Sequence, residues 1–406
     1  MKVKVSIVTL VLIIFASSFG NFAMAESPFW KTSGEMPFYK GRPASGVINN
    51  QLYVAGGIDN TGTYTNTVFH YNPTTEAWTK TAPMNQGREL TAYGVVGEKL
   101  YVAGGVYQNS GQNQTDALEV FDPQANTWSN LTKMTAPRFG ASGASLNNLF
   151  YVIGGASLDL KYLNKVESYD TKANKWNTET SLPEARLYGS AITFENKIYF
   201  FGGLNLDKKA TSSVYSYDAT TKKWTQKSDM PIARYGATTV IYNDKIYVLG
   251  GSNTTNVNQV DIYDPSSDTW ATDEAFPTSR KHPFATVFNE KIYLYGGYID
   301  SSISNLIETY PNYSEPQPEP SDERAILTIT MITGLEKEFD LSMVEVNAFI
   351  TWYDQKDSGS GPSKYAINKH KNNIGPFSKR TDYVIFNNIL TFEVNEYSTV
   401  TAATYE

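Results

Sequence analysis

Leu52-Tyr53-Val54-Ala55-Gly56-Gly57 returns five more times along this chain, with small changes. The later copies are Leu100-Tyr-Val-Ala-Gly104-Gly105, Tyr151-Val-Ile-Gly154-Gly155, Ile198-Tyr-Phe-Phe-Gly202-Gly203, Ile246-Tyr-Val-Leu-Gly250-Gly251 and Ile292-Tyr-Leu-Tyr-Gly296-Gly297. Their first glycines stand 48, 50, 48, 48 and 46 residues apart. Working outward, Trp30, Trp78, Trp128, Trp176, Trp224 and Trp270 each precede the next Gly-Gly pair by 26 residues. From Gly-Gly forward to the following Trp the distance varies between 20 and 24. Length change is therefore confined to the segment just after the glycines, which marks that segment as a surface loop.

An aromatic residue lies seven positions before each of the later tryptophans: Tyr71, Phe121, Tyr169, Tyr217 and Tyr263, with Tyr310 in the last repeat. Turn formers such as Asn72-Pro-Thr-Thr-Glu76 and Asp122-Pro-Gln-Ala-Asn126 follow these aromatics, so each pair of aromatic-bearing runs reads as a hairpin. Four short antiparallel strands per repeat, at this period, predict a mainly β chain stacked as a β-propeller. The glycines permit positive φ and close backbone approach where the second strand ends. Tyr and Trp supply the large apolar surfaces for blade-on-blade packing.

These residues resemble kelch repeats: an apolar run, Gly-Gly, an aromatic, then Trp at fixed spacing. The resemblance covers about residues 28–312 and implies a six-bladed kelch β-propeller. The last repeat lacks its own Trp after Tyr310, while Trp30 stands alone near the start. Residues near 28–36 are therefore expected to close blade six by supplying its outer strand and hiding its edge.

The chain has 406 residues, a formal net charge of −7 and no cysteine. Lys2 and Lys4, an apolar stretch from Val5 to Phe15 and Ala23-Met-Ala25 read as a signal peptide over residues 1–25. The expected mature protein, 26–406, is secreted, with no membrane span after cleavage. Acidity argues against nucleic-acid partners. Without cysteine, and with only His70, His282 and His370, no metal site and no cofactor are expected.

Ten residues after each Trp stands a cation: Lys40, Arg88, Arg138, Arg186, Arg234 and Arg280, with Arg42 an alternative to Lys40. Each falls where one blade passes to the innermost strand of the next, on the same face as the variable loops. Read functionally, this is a cationic ring around the mouth, binding a carboxylated sugar or an acidic peptide. Read structurally, each cation braces loops through carbonyls or acids such as Glu89 and Glu184, and that reading is favoured. The loops 58–66, 106–117, 156–165, 204–213, 252–258 and 298–304 are rich in Asn, Thr, Ser and Gln. They carry Tyr64, Tyr107, Tyr162 and Tyr298, and Tyr188 and Tyr235 lie beside ring arginines. These tyrosines complete the candidate binding set for a carbohydrate or peptide.

No catalytic constellation stands out, and Asp59, Asp116, Asp159, Asp207 and Glu89 are scattered rather than paired. Copper-radical oxidases of the kelch family need a Tyr-Cys crosslink, which a chain without cysteine lacks. The resemblance also extends to exported sialic-acid mutarotases, so a sugar-modifying enzyme is the second reading and a structural display protein the third. The leading expectation is an exported non-enzymatic binding protein.

Beyond Tyr310, residues 313–324 (Pro- and Glu-rich) read as a linker, and residues 325–406 as a small α+β domain. Its signs are strands at 325–333 and 335–341, a Ser342/Glu345 capping box, and helical spacing of Met343, Val346, Phe349, Ile350 and Tyr353. Closing strands follow at 383–386 and 389–394. The segment resembles a C-terminal module of secreted repeat proteins from Gram-positive bacteria. Lys364, Lys369, Lys371, Lys379 and Arg380, with no acid between them, give it a stretch able to touch a cell-wall polymer.

Overall fold

The computed structural model describes residues 29–108, 112–312, 323–357, 362–368 and 381–398. The signal-peptide reading, nearly all of the linker and the basic residues Lys369–Arg380 lie outside them. The chain divides into two compact units, Pro28–Tyr313 and the part beginning at Ser314.

The first unit holds six four-stranded antiparallel sheets. In blade one the strands run outward from the axis in chain order: Ala44–Ile48, Gln51–Ala55, Val68–Asn72 and Ala77–Thr81. The first two are joined by Asn49 and Asn50, both at positive φ (50° and 59°), a two-residue turn whose twist suits a hairpin. The equivalent pairs of the other blades repeat this geometry: Gly97-Glu98, Asn147-Asn148, Glu195-Asn196, Asn243-Asp244 and Asn289-Glu290. Asn, Asp and Gly dominate because they tolerate the left-handed region.

Blade six is composite. Phe284–Phe288, Lys291–Tyr295 and Leu306–Asn312 come from the last repeat, and Phe29–Glu35 adds the outer strand by antiparallel pairing with Leu306–Asn312. Trp30 packs between Phe276 and Tyr310, at ring-centroid distances of 5.7 and 5.2 Å. Elsewhere the tryptophans stitch each blade to the one before it. The indole N–H groups of Trp128, Trp176, Trp224 and Trp270 donate to the carbonyls of Ala82, Thr132, Thr180 and Ser228 of the preceding blade, at 2.7–2.9 Å.

The Gly-Gly pairs serve the same seams. Gly57 takes φ +85°, and a Cβ there would come within 2.8 Å of the Gly41 carbonyl oxygen, so no side chain fits. Its N–H donates to the Arg88 carbonyl of the next blade at 2.8 Å. Gly105, Gly155, Gly203 and Gly251 do the same toward Arg138, Arg186, Arg234 and Arg280.

In the second unit, Glu323–Met331 is the centre of a three-stranded sheet between Glu336–Ser342 and Ile389–Ser398. The helix Met343–Asp357 buries Val346, Phe349 and Trp352. Its start is capped reciprocally: the Ser342 N–H donates to Glu345 Oε2 at 3.0 Å and the Glu345 N–H to Ser342 Oγ at 3.4 Å. Lys364–Asn368, read in the sequence only as part of a basic stretch, is a strand paired with Thr381–Ile385.

Candidate functional site: the axial mouth of the propeller

Six chain positions converge on the axis, each two residues after one of the periodic cations: Arg42, Leu90, Gly140, Tyr188, Gly236 and His282. All six have left-handed backbone, with φ between 50° and 61°. Their N–H and C=O groups form a girdle from blade to blade. Leu90 donates to the Arg42 carbonyl at 3.3 Å, Gly140 to Leu90 at 2.8 Å, Tyr188 to Gly140 at 3.0 Å, Gly236 to Tyr188 at 2.8 Å and His282 to Gly236 at 2.7 Å. Non-glycine residues in this conformation are strained and gather where function needs them. Here the strain turns four side chains toward one opening.

Two of the six positions are glycine for a steric reason. A Cβ on Gly140 would meet the Tyr188 ring at 2.6 Å, and one on Gly236 would meet the His282 imidazole at 2.7 Å. Tyr188 therefore lies across Gly140 and His282 across Gly236. The two rings meet edge to face, with centroids 5.0 Å apart at 81°. Tyr235 stands 6.3 Å from Tyr188, and Tyr298 stands 6.4 Å from His282. Arg42 covers the Tyr298 ring at 4.9 Å and grips Glu89 bidentately, Nε to Oε2 at 2.9 Å and Nη2 to Oε1 at 3.0 Å.

The cavity inside this layer measures about 230 Å³ and runs down between the innermost strands, past Ser45, Thr91 and Thr239. Thr91 Oγ1 is buried and finds no hydrogen-bond partner among the described residues.

Electrostatics follow from burial and from one ion pair. Burial opposes charge on Arg42, but Glu89, Tyr298 and Tyr188 outweigh it and raise its pKa. Burial lifts the Glu89 carboxyl above its usual range even against Arg42. Burial, with Arg42 and Lys281 adding repulsion, lowers His282 to about 3, so the imidazole is neutral throughout the physiological range. Burial raises Tyr188 to about 12 and raises Tyr298 as well. At neutral pH the layer thus holds one internally matched ion pair and neutral aromatic groups.

The periodic cations lie inside the blades and not around this mouth. Arg88, Arg138, Arg234 and Arg280 are fully buried and pair with Glu119, Glu167, Asp261 and Glu308 of their own blades. They also donate to backbone carbonyls, as Arg234 does to Gly250 at 3.2 Å and Gln259 at 3.1 Å. Arg186, in a blade with Tyr215 at the acid's position, turns to Glu184 and Ser213 Oγ. Lys40, facing Phe69 at that position, donates to Thr65 Oγ1, Thr67 Oγ1 and the Thr67 carbonyl. An unpaired guanidinium is costly to bury, so the five arginines are each matched by an acid, while Lys40 is held by neutral oxygens of its own blade.

Of the expected binding residues, Arg42, Tyr188, Tyr235 and Tyr298 come together at the axis. Tyr64 and Tyr162 pack beside them against Leu90, Phe139 and Leu187. Tyr107 stays on its own hairpin, Val106–Gln108 with Gln112–Gln114. His282, Leu90 and Thr91 were not among the expected binding residues, whereas Glu89, read in the sequence as an acid near the ring, is the partner of Arg42. A fixed offset of two from the cation, read across all six repeats, is the signal that marks the layer.

Six four-stranded blades around one opening define a β-propeller, with this layer of side chains at its axis. The KLHDC2/KLHL20/DRC7 Kelch-repeats domain matches residues 87–297, more than half of the chain, and the Kelch motif matches residues 41–85. The chain belongs to the kelch-repeat family. Human Kelch-like protein 33 is 28% identical over 126 residues, 30% of this chain and 22% of that protein. Beta-scruin of Limulus polyphemus is 25% identical over 133 residues, 32% of this chain and 14% of that protein. The chain spans less than a quarter of these relatives' length. The structure of YjhT superposes with a TM-score of 0.60 at 15% identity, covering 69% of this chain and 99% of that one, a likeness of fold.

Proposed function

We propose that this kelch propeller is an exported binding protein whose axial mouth takes one unit of a neutral glycan. One observation carries the reading: the periodic cations are consumed inside the blades, and the mouth is left with tyrosine faces, a neutral imidazole, a buried unpartnered hydroxyl and a donor–acceptor pair. Sugar rings stack their C–H faces on aromatics and use both donors and acceptors for their hydroxyls, and such pockets combine apolar walls with a few placed polar groups. Drug-sized sites measure about 300–1,000 Å³, so a cavity of about 230 Å³ suits a single ring. The Arg42–Glu89 pair serves vicinal hydroxyls better than a free carboxylate, because Glu89 already offsets the charge of Arg42.

A glycan array probed with the purified chain, followed by calorimetry, tests this. Neutral glycans are expected to bind with little salt dependence and without the loss between pH 7 and 6 that an ordinary histidine would cause, since His282 titrates near 3. Tyr188→Ala is expected to weaken binding about tenfold or more, in the range of a buried aromatic anchor. Preference for sialylated or uronate-bearing glycans would sink the reading, and conversion of the bound sugar would establish a sugar-modifying enzyme in its place. In this reading residues 1–25 act as a leader that exports the protein. The basic tail tethers it to wall polymers, which requires salt-sensitive retention on isolated cell walls.

A further inference from the structure

In blades one to five, the turn between the third and fourth strands has one left-handed residue. In blades two, three and five it is Asn126, Asn174 and Asp268, whose side-chain oxygens reach across the seam to the preceding blade. Asn126 accepts from the Ala82 N–H at 3.0 Å, Asn174 from Thr132 Oγ1 at 2.9 Å and Asp268 from the Ser228 N–H at 2.9 Å. Asn174 and Asp268 also accept the hydroxyls of Tyr169 and Tyr263 in their own third strands, at 2.5 and 2.6 Å. Blade four departs from this pattern. Its left-handed residue is Lys222, and an ammonium accepts no hydrogen bond. Only the Lys222 carbonyl serves the seam, taking Thr180 Oγ1 at 2.7 Å. Tyr217 turns across the seam instead and donates to Glu179 Oε2 of blade three at 3.0 Å, while Ser168 Oγ donates to Oε1 at 2.7 Å.

At this seam, on the end of the blades away from the axial mouth, lies a cavity of about 640 Å³. That is within the ~300–1,000 Å³ of small-molecule sites. Glu179 and Tyr151, 8% and 2% exposed, lie deep in its wall, and Lys175 and Lys222 are exposed at its edge. A carboxylate accepts about four hydrogen bonds. Glu179 receives two, both from neutral hydroxyls, and Lys222 Nζ stands 3.8 Å away. A buried carboxylate so served calls for a positive group, while Lys175 makes no ion pair among the described residues. The Tyr151 hydroxyl, pushed up to about 12 by burial and by Glu179, stays protonated and adds a neutral polar group to the wall. We propose that the seam between blades three and four is a second binding site, which takes a small zwitterion. The ligand's ammonium enters to Glu179, and its carboxylate stays between Lys175 and Lys222. A simple cation would have to pass two ammonium groups, and a simple anion would face Glu179; one molecule carrying both charges answers both. This site shares no residue with the axial mouth, so the two readings stand or fall separately.

Calorimetry on the full chain with glycine, β-alanine, γ-aminobutyrate and ε-aminocaproate, which space the two charges progressively, tests the inference. At least one is expected to bind saturably, and its N-acetyl and methyl ester derivatives to bind about tenfold or more weakly. Glu179→Gln keeps an acceptor for Tyr217 while removing the charge, and should weaken binding by a similar factor. Lys222→Asn gives blade four the residue that serves blades two and three. Its melting temperature should rise, because Asn tolerates the left-handed backbone, and its affinity for the zwitterion should fall. Tyr188→Ala should bind as the parent does. The inference is overturned by a series in which nothing binds, by blocked derivatives that bind equally, or by acetate or ethylamine binding as tightly. A lower melting temperature for Lys222→Asn would make that lysine a structural brace and overturn it as well. Loss of binding in Tyr188→Ala would move the ligand to the mouth, with the same consequence.

Discussion

Lys40 and Arg42 are two residues apart and do unrelated work. Lys40 is the buried brace of blade one, lacking the acid that four other blades provide, and burial lowers its pKa from 10.5 to about 7, with Asp59 partly opposing and Lys80 adding repulsion. The unfolded chain holds that proton up to about 10.5 and the folded chain releases it near 7. Between those values the unfolded state binds more protons, so stability rises with pH. Denaturant unfolding from pH 7 to 9 should show that rise, and Lys40→Met should flatten it; an unchanged slope counts against a strained lysine. Arg234 lies at the matching position of blade five with its acid in place. Arg234→Ala leaves Asp261 buried with two neutral hydrogen-bond donors but no counter-charge, a loss of about 3–5 kcal/mol. Arg42→Met likewise leaves Glu89, only 2% exposed, without its counter-ion, so the same denaturation experiment should show a loss there too, and Arg42→Met with Glu89→Gln should recover most of it. No recovery in the double variant would mean that Arg42 stabilises the blade by something other than its pairing with Glu89.

Among the elements, the strand Phe29–Glu35 has consequences beyond its length. It is the edge of blade six and brings Trp30, which is only 5% exposed, into the packing between blades five and six. Without it, Leu306–Asn312 becomes an unpaired edge and the ring loses its clasp. Deleting residues 26–36 should lower the melting temperature of the whole propeller and promote association between chains. A deletion variant that melts like the parent would show that the ring closes by side-chain packing without the clasp.

For the whole molecule, the division near residue 313 separates two units with their own cores: the blade interfaces in one, and the cluster around Leu327, Phe349 and Trp352 in the other. A fragment spanning 28–313 should therefore unfold with the same midpoint as the propeller in the full chain, followed by tryptophan fluorescence. A shifted midpoint would reveal that the units depend on each other.

Much of the architecture was legible because it is local. Strand periodicity, Asn- and Gly-bearing turns, and the constant 26-residue step from Trp to Gly-Gly act within one repeat, and six copies reinforce one another. The lone Trp30 and the incomplete last repeat even pointed to the closure. The site was less legible. Charge and spacing singled out six cations, yet those residues lie inside the blades, where burial forces each to find its own acid or carbonyl. The residues that face the axis are a different set, 46–50 positions apart, joined by backbone bonds from each blade to the next. Their side chains vary from blade to blade because each meets a different neighbour across the opening. Repetition along the chain therefore determined the blades, whereas only ring closure decided which side chains share the mouth, since contacts across an axis have no counterpart in sequence separation.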